Sequence, residues 1–137
     1  MKQRIIPLLV VISLVLSLLS GCTTTGKVTI SNDIITSSDA IDMTISLQGY
    51  YLTPTNLTLK FITEEYLYVT RADETEELKT DEIEGLKLDS RKLEYKIRTK
   101  NYYGSKPVFE NVVIIVYDKN NVQTSKLSSD FIEVRRR

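Results

Sequence analysis

The feature that most constrains this chain is a repeated alternation of apolar and polar residues. Ile41, Met43, Ile45 and Leu47 are apolar, and Asp42, Thr44, Ser46 and Gln48 stand between and after them. A period of two puts one kind of side chain on each face of an extended strand. It does not fit the 3.6-residue stripe of a surface helix. Leu57, Leu59 and Phe61 repeat the pattern against Thr58 and Lys60, and Leu93, Tyr95 and Ile97 against Glu94, Lys96 and Arg98. Tyr66 to Val69 is rich in strand formers. Val108 to Tyr117 is the longest apolar run beyond the N-terminus, and predicts a central strand covered on both faces for part of its length. Phe131, Ile132 and Val134 predict a last strand. Turn-type clusters separate the runs: Thr53-Pro54-Thr55-Asn56, Tyr103 to Pro107, and Asp118 to Asn121, where Asn120-Asn121 can take the positive φ of a tight hairpin. The one helix candidate, 73–88, has only Leu78, Ile83 and Leu86 among many acids, and reads as a loop with a short strand or a single turn. Strands alone, closely spaced and broken by turns, predict an all-β, antiparallel β-sandwich of about seven to nine strands.

The N-terminus carries a different message. Lys2 and Arg4 precede an almost wholly apolar stretch from Ile5 to Leu19, and Ser20-Gly21-Cys22 follows at once. A charged start, a short apolar region and small residues describe an export signal. The run is shorter than the roughly 20 residues that span a hydrocarbon core, and no basic cluster follows it. The expected organisation is a signal helix over 1–21 that is cleaved, a tether over 22–27, and one sandwich domain over 28–137.

Leu19-Ser20-Gly21-Cys22 also resembles the lipobox of prokaryotic lipoproteins. The resemblance implies that Cys22 receives a diacylglycerol and becomes the first residue of the mature protein. Lipidation would consume the lone thiol, and at about 0.8 kcal/mol per buried methylene two or more acyl chains anchor a protein durably. Thr23 is not the Asp that commonly retains such proteins in an inner membrane. The expected location is therefore the cell membrane or an outer membrane, facing away from the cytoplasm. A second resemblance concerns the fold. Ile114-Ile115-Val116-Tyr117-Asp118, with Asn101, Gly104, Lys106-Pro107 and Asn111-Val112 before it, is similar to FxLYD-type exported domains, with Ile114 where that pattern has Phe. Gly85-Leu86, Tyr95, Ile97, Asn101, Gly104 and Ser105 resemble late strands of fibronectin type III modules, in which the Tyr closes a corner turn through its hydroxyl. Both resemblances imply an antiparallel immunoglobulin-like β-sandwich.

Composition narrows the function. The 137 residues include no His and one Cys. Without His there is no Ser-His-Asp triad and no imidazole metal site, and one Cys excludes an internal disulfide or a Cys-clustered zinc site. Removing 1–21 takes away Lys2 and Arg4 and no acids, leaving 16 basic against 18 acidic residues. That balance does not point to nucleic acid. No cofactor motif is present, and no enzyme activity is expected.

The candidate site residues are of two kinds. Tyr50, Tyr51, Tyr102 and Tyr103 fall at predicted strand ends, where tyrosine can anchor a protein or glycan partner; alternation predicts one inward and one outward ring in each doublet. The acids Asp73, Glu74, Glu76, Glu77, Asp81, Glu82 and Glu84 are dense enough to suggest a hard cation, with Asp73, Glu76, Glu77 and Asp81 as candidate ligands. Their spacing matches no EF-hand loop, and they read first as a solvated loop. Arg135-Arg136-Arg137 reads as a soluble terminus, although such a tail can touch anionic lipid. Asn56-Leu57-Thr58 is a sequon with meaning only in a host that glycosylates it. The sequence predicts a membrane-anchored binding or structural module. A Ca²⁺-stabilised adhesion module and an envelope-polymer hydrolase using acidic residues are the alternatives.

Overall fold

The computed structural model describes residues 24–49, 55–86 and 89–137, apart from the side chains of 85–86 and 89–90. Cys22, the signal segment and Tyr50-Tyr51 lie outside the described residues. Eleven strands and no helix occur within them. In chain order these are β1 (Thr25–Ile30), β2 (Ile34–Ile35), β3 (Ala40–Gly49), β4 (Thr55–Ile62), β5 (Leu67–Arg71), β6 (Thr80–Leu86), β7 (Asp89–Thr99), β8 (Val108–Glu110), β9 (Val113–Tyr117), β10 (Gln123–Ser128) and β11 (Ile132–Val134).

Two four-stranded sheets, ordered β1-β3-β7-β5 and β10-β9-β4-β6, face one another, and a small third sheet is ordered β2-β11-β8. All pairings are antiparallel except β2 with β11. The architecture is the expected all-β sandwich. The strand number exceeds seven to nine because of the third sheet, whose strands of two or three residues are too short to show a period.

Alternation builds the core. Ile41, Met43, Ile45 and Leu47 of β3 are buried, as are Leu57, Leu59 and Phe61 of β4, Leu67 and Val69 of β5, and Ile114 and Val116 of β9. The Phe61 ring meets Tyr95 edge to face across the two sheets, with centroids 4.9 Å apart. Burying side chains of this size contributes about 1.5–3 kcal/mol each, which makes the facing sheets the source of stability.

Three sequence expectations are corrected. Thr25, Gly26 and Lys27, expected in the tether, pair with Gln48, Leu47 and Ser46, so β1 begins inside that segment. Val108–Tyr117 is not one strand. It breaks at Asn111-Val112 and changes sheet, and Ser129 holds the break: its hydroxyl accepts from the Val112 amide at 3.0 Å, and its own amide donates to the Val112 carbonyl at 2.9 Å. Within β9 the residues then alternate between buried and half-buried. Phe131 lies just before β11 and faces solvent. Within the 73–88 segment, residues 73–79 form a loop and Thr80–Leu86 the strand β6.

The β9–β10 hairpin turns at Asn121, whose φ is 62°. The Asp118 carboxylate accepts from the amides of Asn120 and Val122 at 2.8 and 2.9 Å, so this turn has the chemistry its sequence predicts. On one side of the sandwich β1 meets β10. Ser125 donates to the Thr24 carbonyl, and a Cβ at Gly26 would lie 2.7 Å from Leu127 Cδ1 and 3.1 Å from the Ser46 carbonyl oxygen. Glycine is needed there so that the two sheets can close.

Candidate functional site

Strand polarity divides the molecule into two ends. Thr24, the end of β3, the start of β4 and the 118–122 turn lie at one. At the other lie the 63–66 loop, the 100–107 loop and the third sheet, which continues from β9 and β10. The ten residues of β3 separate the ends by about 33 Å.

At the end far from Thr24, a buried carboxylate fixes the third sheet to the rest. Glu110 on β8 is 4% exposed. Its Oε1 accepts from the amides of Tyr66 and Leu67 at 3.0 and 3.1 Å. The two amides lie just before and at the start of β5, and the side chain does for them the work of a ladder bond. Tyr102 packs nearby. Its ring stands edge to face on Tyr66 with centroids 4.9 Å apart, and its hydroxyl donates to the Lys106 carbonyl. The ring lies over Gly104, where a Cβ would sit 2.8 Å from Tyr102 Cε2 and closer still to the hydroxyl.

The Tyr102-Tyr103 doublet therefore splits as alternation predicts, with one ring inward and the other 74% exposed. Of this doublet, Tyr103 is the ring that a partner can reach. The corner-turn role that the fibronectin resemblance placed on Tyr95 falls instead to Tyr102. Tyr95 donates its hydroxyl to Asp81 Oδ2 at 2.6 Å. Burial first, and then this bond, push the Tyr95 hydroxyl pKa far above its ordinary value.

The third sheet presents an outer face that sequence reasoning missed. Register places Ile34, Glu133 and Phe109 in one row across the strands. Phe131, two residues before Glu133, shares that side. Phe109 is 60% and Phe131 61% exposed, and Ile34 is half-buried. Glu133 and Arg135 are joined at 2.6 Å. Asp33 and Asp130 are exposed just before β2 and β11 in the chain, and Arg135, Arg136 and Arg137 just after β11. The parity of Ile132 and Val134 was the signal: if those two face inward, Phe131 must face outward.

The acids are dispersed. Asp73, Glu74, Glu76 and Glu77 are exposed on the β5–β6 loop, and Glu82 and Glu84 are exposed on β6. Asp81 is the one acid of the group with a built environment, held by Arg71 Nη2 at 3.1 Å and by Tyr95. Its carboxylate latches β5, β6 and β7 together, which is a structural use. Among the described residues no three acidic, His or Cys side chains are grouped to hold a metal ion.

No protein-family model matches the sequence, and no curated protein matches it. Solved structures do. The chain is similar to the N-terminal domain of PorA, with a TM-score of 0.53 and 9% identity over 82% of this chain and 97% of that one. It is also similar to a CARDB domain from Pyrococcus furiosus crystallised in complex with di-metal ions, with a TM-score of 0.50 and 8% identity over 82% of this chain and 87% of that one. At such identities the likeness is one of fold. The chain is an immunoglobulin-like β-sandwich.

Proposed function

We infer that this chain is a lipid-anchored extracytoplasmic module that works by binding or structural interaction and not by catalysis. Leu19-Ser20-Gly21-Cys22 supports the anchor. The observation that carries the binding reading is the pair of exposed rings, Phe109 and Phe131, on one face at the end opposite Thr24. A soluble monomer gains nothing from presenting two phenylalanines to water, and clustered exposed aromatics mark interaction surfaces. With Cys22 in lipid, only Thr23 would separate the anchor from Thr24. The body would then rest close to the bilayer and hold this face outward.

Mass spectrometry of the cell-derived protein tests the anchor. The expected N-terminal peptide begins at Cys22 and carries a diacylglycerol. Wild-type protein free in the medium, or retained with an uncut signal, overturns it. Photo-crosslinkers placed at Phe109, Phe131 and Lys126 on intact cells test the surface. Adducts at the first two positions and none at Lys126, on the outer side of β10, support the reading; equal yields at all three oppose it.

A further inference from the structure

We propose that β1 docks last: Cys22 is lipidated and the signal is cut while β1 is off β3, and the strand closes onto the sandwich only afterwards. The proposal rests on the lipid-anchor reading and adds an order of events to it.

The argument is one of reach. β1 begins at Thr25, three residues after Cys22. Thr24 is already fixed: it is 1% exposed, and its carbonyl accepts from the Ser125 hydroxyl of β10. Thr25 pairs with Gln48, and its hydroxyl donates to the Gln48 carbonyl at 3.3 Å. From Thr24 back to Cys22 is two residues, at most about 7 Å of chain. Two reactions must fit within that distance of the folded body. In the first, the Cys22 sulfur bonds to a glyceryl carbon of a membrane phospholipid, whose phosphorylated headgroup leaves as the thiol gives up its proton. In the second, water splits the Gly21–Cys22 amide into a carboxylate and the Cys22 amine. Proteins that recognise a chain segment by its backbone take it in extended form. A docked β1 leaves Thr23 alone free on the downstream side. An undocked β1 frees 23–30, a leash of about 26 Å.

β1 is also weakly held. Among the described residues it pairs with β3 alone, at the edge of its sheet. Its inward positions are Gly26, Val28 and Ile30, opposite Leu47, Ile45 and Met43. Glycine brings no side chain, and Val28 and Ile30 are half-buried, whereas Ile41, Met43, Ile45 and Leu47 of β3 are at most 1% exposed. β3 pairs with β7 along its whole length, so lifting β1 leaves β3-β7-β5 intact. Closing it adds the Ser125–Thr24 bond and lays Leu127 over Gly26.

Two measurements on the full chain test this. The first does not involve lipid. The Ser31 amide donates to the Asp42 carbonyl, so ladder alternation turns the amides of Thr25, Lys27 and Thr29 towards β3, and those of Met43, Ile45 and Leu47 towards β7. In detergent, hydrogen exchange at the first three should be about tenfold or more faster than at the second three, because β1 opens without global unfolding. Equal rates overturn the proposal.

The second uses a staple. Thr29 and Thr44 stand opposite one another on the outer face, at a spacing that a disulfide can span. Uncleaved chain carrying Thr29→Cys and Thr44→Cys is made by cell-free synthesis into nanodiscs, oxidised, and mixed with membranes of the producing cell. Conversion to the lipidated, cleaved mass should be about tenfold or more slower than for the same chain reduced, with wild type indifferent to reductant. A peptide of residues 1–30, which has no β3 to dock on, should convert at least as fast as the reduced chain. If the peptide converts and the stapled and reduced chains convert alike, the order of events is overturned and the anchor stands. If the peptide never converts, the anchor reading fails and the inference with it.

Discussion

Glu110, Tyr102 and Tyr95 each use a polar atom inside the fold, and each makes a measurable claim. Glu110 replaces two ladder bonds at the start of β5. Glu110→Ala leaves two amides without acceptors and should cost about 2–3 kcal/mol, with a smaller loss for Glu110→Gln, read as a lower urea midpoint at unchanged slope. Gly104→Ala should cost about 1–3 kcal/mol by displacing the Tyr102 ring it lies against; a neutral substitution would show that the ring moves freely. Tyr95 gives a pH prediction. Its hydroxyl is an acid whose pKa is raised by folding, through burial and then the bond to Asp81. Its contribution is fully present below the ordinary value of about 10 and declines as pH rises beyond it. Urea melts above that pH should show falling stability, and Tyr95→Phe should flatten the decline attributable to this group. These roles were hidden in the sequence. A Glu inside an apolar run looks like an interruption, and nothing local says that its carboxylate meets the chain more than forty residues earlier.

At the scale of elements, legibility followed the length of the alternation. β3, β4 and β7 declared themselves because several consecutive inward positions are apolar and their neighbours are not. β10 did not, because an edge strand needs few inward apolar residues, and Leu127 is its single large one. The first half of β1 reads as a tether for the same reason: small and polar Thr25, Gly26 and Lys27 precede Val28. The run from Val108 to Tyr117 reads as one element because apolar residues dominate both of its strands. The break comes from Ser129, a residue remote in sequence. The β9–β10 turn was legible because it is local. With φ of 62° at Asn121, Asn121→Gly should be close to neutral and Asn121→Val should cost about 1–2 kcal/mol in the same melts.

At the scale of the whole molecule, the candidate site was legible only in part. The sequence named tyrosines at strand ends, of which Tyr103 is exposed, but it could not show which loops and strands share an end of the sandwich. Polarity of the sheets supplies that, and it carries an orientation prediction. In vesicles holding the lipidated chain, a fluorophore at position 122, on the turn near Thr24, should be quenched by headgroup-labelled lipid. A fluorophore at 131, about 30 Å further along the strands, should be quenched far less; the reverse order would invert the orientation.

The six register pairs of β1 with β3 acquire a mechanical meaning in this arrangement. If the chain is held at one end and its partner at the other, tension enters at Thr24 along the direction of β1. Ladder bonds of an antiparallel pair lie across the strands, so they would be loaded together in shear instead of peeling open one after another. A tether that pulled on the opposite end of β1 would unzip the same bonds singly. Held in that way, the sandwich would bear load between whatever it joined because of where Thr24 lies.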